Sequence, residues 1–230
     1  MVRHQRGRAA AWVVGGLLGT ALLAAALPSC KTDCSFDDVD VAGRSTNPDG
    51  LPYPTDRLGS TPRHGTTPGD HFPNLTFQGY VDSNRAAGLQ TVSLADVYDP
   101  NATRHRVLHL MAAVMWCPHC QHETDLMASL VPTLRAEGAA FIQVVLNGPS
   151  RGKGPDLCDM DSWIDDHATS FTVVFDVSAR RLGSVADVSA VPWNALIDTR
   201  TMEVLDVTVG APADFAAYVR SALNAVAPPP

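Results

Sequence analysis

The 230-residue chain contains few cysteines and no second Cys-x-x-Cys pair. Its five cysteines include a single Cys-x-x-Cys sequence, formed by Cys117 and Cys120. A zinc ribbon needs two such pairs, and Cys117, Cys120 and His122 together make an incomplete ligand set. Attachment of a c-type haem needs a histidine directly after the second cysteine, where this chain has Gln121. No resident metal or other cofactor is therefore expected.

Basic residues are also scarce outside the N-terminus. Residues 1–29 contain three arginines and no acidic residue, so their removal changes the formal charge from −7 to −10. No basic stripe or cluster remains in the acidic chain that follows. Nucleic acid is therefore not expected as a partner.

The N-terminus has the order of regions found in a secretory signal peptide. Basic residues precede the apolar run Ala9 to Leu27, which predicts a signal peptide over residues 1–29. The tetrapeptide from Leu27 to Cys30 resembles the lipobox of bacterial lipoproteins, in which this cysteine carries the lipid. Cleavage after Ala26 and an uncleaved membrane helix remain alternatives. All three place the domain outside the cytoplasm. Because Lys31 follows Cys30, sorting of the lipoprotein to the outer membrane remains an alternative.

The segment from residue 30 to 72 is rich in Gly, Pro, Thr, Asp and Ser and has no apolar periodicity. It is therefore predicted to be a flexible, lipid-anchored tether. An exported protein lies in a compartment where disulfides persist. If Cys30 is lipidated, Cys34 and Cys158 are the cysteines left over, and we expect a structural disulfide between them. Free or differently paired thiols remain the alternative, since sequence does not fix connectivity.

Residues 73–230 show alternating strand and helix patterns that end in a strand pair and a last helix. This order predicts an α/β fold in which helices flank a mixed central sheet with an N-terminal strand extension. The predicted strands are 74–80, 91–94, 107–114, 139–146, 171–175, 194–198 and 203–209. The predicted helices are 117–137, 159–168, 178–184 and 212–226.

The pair Cys117 and Cys120 falls where the buried strand 107–114 gives way to a helix. A helix N-terminus favours a thiolate by about 0.3–1 kcal/mol, which lowers a thiol pKa by less than one unit. His119 in the same turn can add a hydrogen bond or a positive charge. We therefore predict Cys117 as the nucleophile and Cys120 as the resolving thiol. Binding or delivery of copper(I) by the two thiolates stays open as the alternative function.

Two motifs together resemble the thioredoxin superfamily, and within it the TlpA/ResA-like extracytoplasmic branch. The first is Trp116-Cys117-Pro118-His119-Cys120, and the second runs from Val191 to Asp198. The resemblance implies a thioredoxin-like fold and a thiol–disulfide oxidoreductase whose partners are protein thiols or disulfides and a redox partner protein. It also implies a cis peptide bond at Pro192, opposite Cys117, which leaves the Val191 backbone free to pair with substrate.

Further predictions depend on this resemblance. Trp116 and Pro118 line the substrate side, and Trp193 is expected to crowd the substrate groove, with a surface aromatic as its alternative. Glu123 matches an acidic position near the buried cysteine, which implies proton handling for Cys120; a solvated first-turn glutamate is equally compatible. The dipeptide Pro118-His119 resembles that of disulfide-oxidising proteins of the DsbA type, whereas the scaffold resembles reductases. The net direction of electron flow therefore stays open. A peroxidase of the peroxiredoxin type would need a threonine three residues before its cysteine, and this chain has Val114 there.

Overall fold

The computed structural model describes residues 33–55 and 65–226. The predicted signal peptide 1–29 and the lipidation site Cys30 lie outside these ranges, as do residues 56–64 of the predicted tether. Within the described ranges, none of the helices combines the length and the apolar composition of a membrane-spanning segment.

Seven strands of the described ranges form one mixed sheet in the order β2-β1-β5-β4-β3-β6-β7. β3, β4 and β5 run parallel, whereas β1, β2, β6 and β7 join antiparallel neighbours. The interior strand β3 is buried at all eight positions, in agreement with its sequence, which is apolar except for His109. The strands are β1 (Thr76–Tyr80), β2 (Gln90–Ser93), β3 (Val107–Val114), β4 (Ala139–Asn147), β5 (Thr172–Phe175), β6 (Trp193–Asp198) and β7 (Glu203–Val209).

Three α-helices accompany the sheet: α1 (Pro118–Ala136), α2 (Leu157–Asp166) and α3 (Phe215–Ala225). Each begins at a residue whose side chain caps the helix, namely Cys117, Asp156 and Asp214. The buried positions of α1 recur every three or four residues, so one face of this helix is buried. They are Cys120, Glu123, Thr124, Met127, Val131 and Leu134.

The predicted fold class is present, and the element boundaries differ by at most three residues for all seven strands and three helices. The predicted helix 178–184 is different, because two short 3-10 turns, Val177–Ala179 and Leu182–Ser184, occupy this segment. Asp176 caps this loop by accepting hydrogen bonds from the backbone N–H groups of Arg181 and Leu182 at 2.8 Å each. A buried carboxylate therefore holds the chain here in place of a regular helix.

The segment predicted as a flexible tether packs against the domain in its described parts. The predicted Cys34–Cys158 disulfide is present and joins residues 124 positions apart. Phe36 stacks on Phe175 with ring centroids 3.9 Å apart. The Tyr53 hydroxyl donates a hydrogen bond to the Phe72 carbonyl at 2.7 Å. Residues 33–55 thus belong to the folded unit, which corrects the expectation that the domain begins at residue 73.

Composition misled the prediction of the tether for a physical reason. Its Gly, Pro and Asp residues form turns, which lack apolar periodicity whether or not they are packed. A few isolated side chains, such as Phe36 and Tyr53, provide the contacts instead. Asp38 adds a polar contact by accepting a hydrogen bond from the Val177 N–H at 3.1 Å.

Candidate active site

Cys117 lies at the junction of β3 and α1. The strand ends at Val114, and the Cys117 N–H donates to the Val114 carbonyl at 3.2 Å, which forms the turn into the helix. Pro118 occupies the first helical turn, where its missing N–H costs no hydrogen bond. The Cys117 sulfur accepts a hydrogen bond from the Cys120 backbone N–H at 3.4 Å. The nucleophile predicted from the sequence is therefore the N-cap of α1.

The two thiols are unbonded and differ in their access to solvent. Cys117 is 6% exposed, whereas Cys120 is fully buried. Burial raises the pKa of the Cys120 thiol, and the neighbouring Cys117 and Glu123 act in the same direction. Cys117 is therefore the more exposed of the two thiols, and Cys120 lies one helical turn deeper.

The loop before β6 faces Cys117, as the resemblance to the thioredoxin superfamily implies. The Val191–Pro192 peptide bond is cis, which confirms that prediction. The Cys117 sulfur lies 3.9 Å from the Val191 carbonyl oxygen. Beside it, a groove of about 310 Å³ is lined by Trp116, Ser178, Ala179, Val188, Ser189 and Val191, among others.

Trp116, Pro118 and Trp193 were predicted to line the substrate side. Trp116 is half-buried, and the Arg151 guanidinium carbon lies 4.0 Å from the centre of its ring. Pro118 is exposed. Trp193 is buried at 2% exposure, so the alternative of a surface aromatic is wrong. The residues that line the groove do not include Trp193.

His119 and His122 are both exposed on α1. Within the described residues, the Cys117 sulfur accepts its hydrogen bond from the Cys120 backbone, and the His119 ring makes none to it.

Glu123 is fully buried, so the alternative of a solvated glutamate is wrong. It follows Cys120 by three residues on the buried face of α1. Burial raises the pKa of Glu123 from its ordinary 4.5 to about 7, and a hydrogen bond from Asn194 opposes this rise. The Asn194 Nδ2 donates to Glu123 Oε2 at 3.4 Å, while Glu123 Oε1 has no hydrogen-bond partner among the described residues. A carboxyl group that titrates near neutral pH thus lies beside the deeper thiol.

Sequence reasoning missed the continuation of this arrangement into the sheet. The Nε2 of His109 on β3 lies 2.9 Å from Asn194 Oδ1. The role of Asn194 was not anticipated, although a buried amide in an apolar strand is a recognisable signal. His109, Asn194 and Glu123 are all fully buried, and we call them the Glu123 cluster.

The described residues contain one group of three side chains spaced as metal ligands, namely Cys34, Asp156 and Cys158. The two sulfurs of this group are joined in a disulfide. Cys117 and Cys120 are not part of such a group.

A cysteine pair whose first member caps the helix after an interior strand, opposite a cis-proline, is the arrangement of a thioredoxin-like thiol–disulfide oxidoreductase. The chain belongs to the AhpC/TSA family, whose sequence profile matches residues 68–210, more than half of the chain. No curated protein sequence matches it.

Solved structures confirm the predicted thioredoxin-like fold. A protein from Chlorobium tepidum assigned as the thiol:disulfide interchange protein DsbE has 23% identity and a TM-score of 0.52 over 69% of this chain and 96% of its own. The thioredoxin domain of a thiol-disulfide oxidoreductase from Bacteroides vulgatus has 13% identity and a TM-score of 0.51 over 70% and 99%. An uncharacterized conserved protein from Geobacillus kaustophilus has 16% identity and a TM-score of 0.56 over 72% and 86%.

Proposed function

We propose that this protein is an extracytoplasmic, lipid-anchored thiol–disulfide oxidoreductase that exchanges disulfides with protein substrates. The observation that carries the proposal is the pairing of a thiol at the N-cap of α1, Cys117, which is 6% exposed, with a fully buried thiol, Cys120, one turn away. The first is placed to attack a partner disulfide, and the second is protected from solvent until a mixed disulfide has formed.

The reaction has two steps. The Cys117 thiolate attacks a substrate disulfide, forms a mixed disulfide, and releases one substrate sulfur as a thiolate. The Cys120 thiol then gives its proton to the Glu123 carboxylate, and its sulfur attacks Cys117 Sγ. The bond between Cys117 and the substrate breaks, and the second substrate sulfur leaves as a thiolate. The substrate gains two electrons, the cysteine pair becomes a disulfide, and a dithiol partner protein reduces it again; the reverse sequence oxidises a substrate.

Substrate recognition in this proposal uses the surface around Cys117. The Val191 backbone pairs with an extended segment of the substrate, and the groove beside Trp116 accepts a substrate side chain. Trp116 and Pro118 lie on this surface, and Pro192 holds the Val191 carbonyl towards Cys117. A positive charge on His119 favours the Cys117 thiolate and hence the reduced form, which biases the pair towards oxidation of substrates.

The location outside the cytoplasm is supported by the disulfide between Cys34 and Cys158, because disulfides persist in oxidising compartments and are rare in the cytosol. The sequence of residues 1–29 and the lipobox-like tetrapeptide ending at Cys30 support export and lipid attachment. One lipid chain gives only marginal membrane binding, so stable anchoring needs more than one acyl chain on Cys30.

Single-cysteine variants test the proposed roles. We expect Cys117→Ser to abolish reduction of insulin disulfides, and Cys120→Ser to accumulate mixed disulfides that are visible on non-reducing gels, because attack survives and release does not. Alkylation of the reduced protein at mildly acidic pH should label Cys117 before Cys120; the reverse order would overturn the assignment. Stoichiometric, tight copper(I) binding without exchange activity would instead support the copper function.

A further inference from the structure

A continuous line of buried polar side chains connects the interior of the sheet to Glu123. His109 Nε2 lies 2.9 Å from Asn194 Oδ1, and Asn194 Nδ2 donates to Glu123 Oε2 at 3.4 Å. Asn194 Nδ2 also donates to the Gly210 carbonyl at 3.3 Å. Because a buried amide cannot exchange these partners for water, each hydrogen bond constrains the next one.

The contacts determine which way the Asn194 amide faces. An amide oxygen only accepts hydrogen bonds, so the imidazole of His109 carries its proton on Nε2 and donates it to Asn194 Oδ1. The reversed amide would direct its oxygen at the Gly210 carbonyl and at the Glu123 carboxylate, which are both acceptors. His109 therefore holds the oxygen end of the amide, and the N–H end is left to face Glu123.

We propose that His109 and Asn194 are positioning residues for the resolving step, in which His109 fixes the Asn194 amide so that its N–H stabilises the Glu123 carboxylate. The inference rests on the proposed function, because that carboxylate is the group that accepts the Cys120 proton. Asn194 acts on Glu123, and His109 acts through Asn194. Neither side chain needs to touch the substrate.

The other titratable groups around Glu123 leave this carboxyl as the one that changes charge near neutral pH. Burial lowers the pKa of His109 to about 4, so its ring is neutral above this value. On α3, burial and the carboxylates of Asp206 and Glu123 raise the pKa of Tyr218, which keeps its hydroxyl protonated. On α1, the pKa of Cys120 is raised as well, mainly by burial. Cys117 lies beyond Cys120 and is removed from the titration when it is held in a mixed disulfide.

The resolving step can be observed separately from the first attack. The reduced full chain is mixed in a stopped-flow instrument with one equivalent of an aromatic nitrobenzoate disulfide, whose thiolate is coloured. The first phase releases one aromatic thiolate as Cys117 forms the mixed disulfide. The second phase releases the other thiolate when the Cys120 sulfur displaces it from Cys117. The rate of the second phase is measured against pH, and for the wild type we expect it to rise with a midpoint near 7, the pKa of Glu123.

Three variants separate the hydrogen bond from the packing. His109→Phe keeps a ring against Phe215, whose centroid lies 5.0 Å from that of His109, but removes the donor. His109→Gln loses the ring but places an N–H at the same number of bonds from Cβ as His109 Nε2. Asn194→Ala removes the donor to Glu123 directly, so the proposal is tested even if His109→Phe does not fold. Phe141→Leu is the matched control, since Phe141 packs beside His109 at 5.9 Å and makes no side-chain hydrogen bond.

We expect Asn194→Ala and His109→Phe to raise the midpoint of the second phase by about half to one pH unit, which slows it about three- to tenfold below both midpoints. His109→Gln and Phe141→Leu should keep the wild-type midpoint, and the first phase should be unchanged throughout. Equal shifts in His109→Phe and His109→Gln would assign the effect to packing and overturn the proposal.

Glu123→Gln distinguishes failure of this inference from failure of the proposed function. If the second phase keeps its midpoint near 7 in Glu123→Gln, the proposed proton step is wrong, and the inference is overturned with it. If Glu123→Gln loses the midpoint while Asn194→Ala and His109→Phe keep it, only the positioning inference is overturned. If Glu123→Gln loses the midpoint and the other two variants shift it, both are supported.

Discussion

Two buried polar clusters lie on the same face of the sheet and differ in how fully their hydrogen bonds are satisfied. In the Gln143 cluster (Thr124, Gln143 and Trp163), Gln143 Oε1 accepts from Trp163 Nε1 at 2.8 Å and Gln143 Nε2 donates to Thr124 Oγ1 at 2.7 Å. In the Glu123 cluster, the contacts of Asn194 with Glu123 and Gly210 are 3.3–3.4 Å long. His109 Nδ1 and Glu123 Oε1 have no hydrogen-bond partner among the described residues.

This difference indicates that the Gln143 cluster contributes to stability and the Glu123 cluster to proton transfer. A satisfied buried network holds elements together, and the Gln143 cluster connects β4 to α1 and α2. A buried carboxyl that is only partly satisfied keeps a pKa far from its ordinary value, which is the condition for proton transfer near neutral pH. The two clusters meet at neighbouring residues of α1, Glu123 and Thr124, so one helix carries both.

The largest expected effect comes from removing the charge of the Glu123 cluster. Glu123→Gln keeps the shape of the side chain but cannot accept a proton, so the resolving step should slow about a hundredfold at neutral pH. The free energy of unfolding should not fall, because a buried charge is removed. Stopped-flow release and urea unfolding measure the two quantities. A large loss of stability with an unchanged rate would mean that the Glu123 cluster serves stability and not proton transfer.

Breaking the Gln143 cluster should lower the free energy of unfolding and leave the rate of the resolving step nearly unchanged. Gln143→Leu leaves the buried Trp163 N–H without its acceptor, which should lower the free energy of unfolding by about 2 kcal/mol. The resolving rate should stay within about twofold, because a positioned acid or base is not removed. Met111→Leu is a matched control: the Met111 sulfur lies 3.4 Å from Gln143 Nε2, and the swap conserves volume. A rate loss as large as that of Glu123→Gln would contradict the division into structural and chemical clusters.

Much of this architecture follows from the sequence, and the exceptions share a cause. The apolar run over residues 107–114 and the Cys-x-x-Cys spacing predict β3, the start of α1 and the redox pair, since both signals are local. The packing of Phe36 and Tyr53, the burial of Trp193 and the partnership of His109 with Asn194 depend on residues distant in sequence. For Asn194 the separation from its partner is 85 positions. Local pattern identifies a buried polar residue but not the group that faces it.

The dependence of stability on pH sharpens the comparison, because two members of the Glu123 cluster titrate in opposite directions. Burial raises the pKa of Glu123 from 4.5 to about 7, so its contribution to stability is full below 4.5 and is lost as the pH rises through 7. Burial lowers the pKa of His109 from 6.5 to about 4, so its contribution is full above 6.5 and is lost as the pH falls through 4. Between about pH 4.5 and about pH 6.5 the two slopes oppose each other.

Single variants should expose each slope. In Glu123→Gln the free energy of unfolding should rise with pH in this window relative to the wild type, by up to about 1.4 kcal/mol per pH unit, because the His109 slope is no longer opposed. In His109→Phe it should fall with pH by a similar amount. Urea unfolding at several pH values provides the measurement, and Gln143→Leu, which removes no titratable group, should run parallel to the wild type. Equal slopes in all four proteins would mean that neither group is perturbed as described.

The smallest expected effect lies where the two clusters touch. Thr124 Oγ1 donates to the Cys120 carbonyl at 2.7 Å and accepts from Gln143 Nε2. Thr124→Val keeps the shape but leaves that N–H with only the weak Met111 sulfur as a partner, so the free energy of unfolding should fall by about 1 kcal/mol. The Cys120 carbonyl belongs to the helix backbone, so Cys120 should keep its place and the midpoint of the resolving step should stay near 7. A shifted midpoint in Thr124→Val, with Gln143→Leu unshifted, would show that the two clusters are coupled through this hydroxyl.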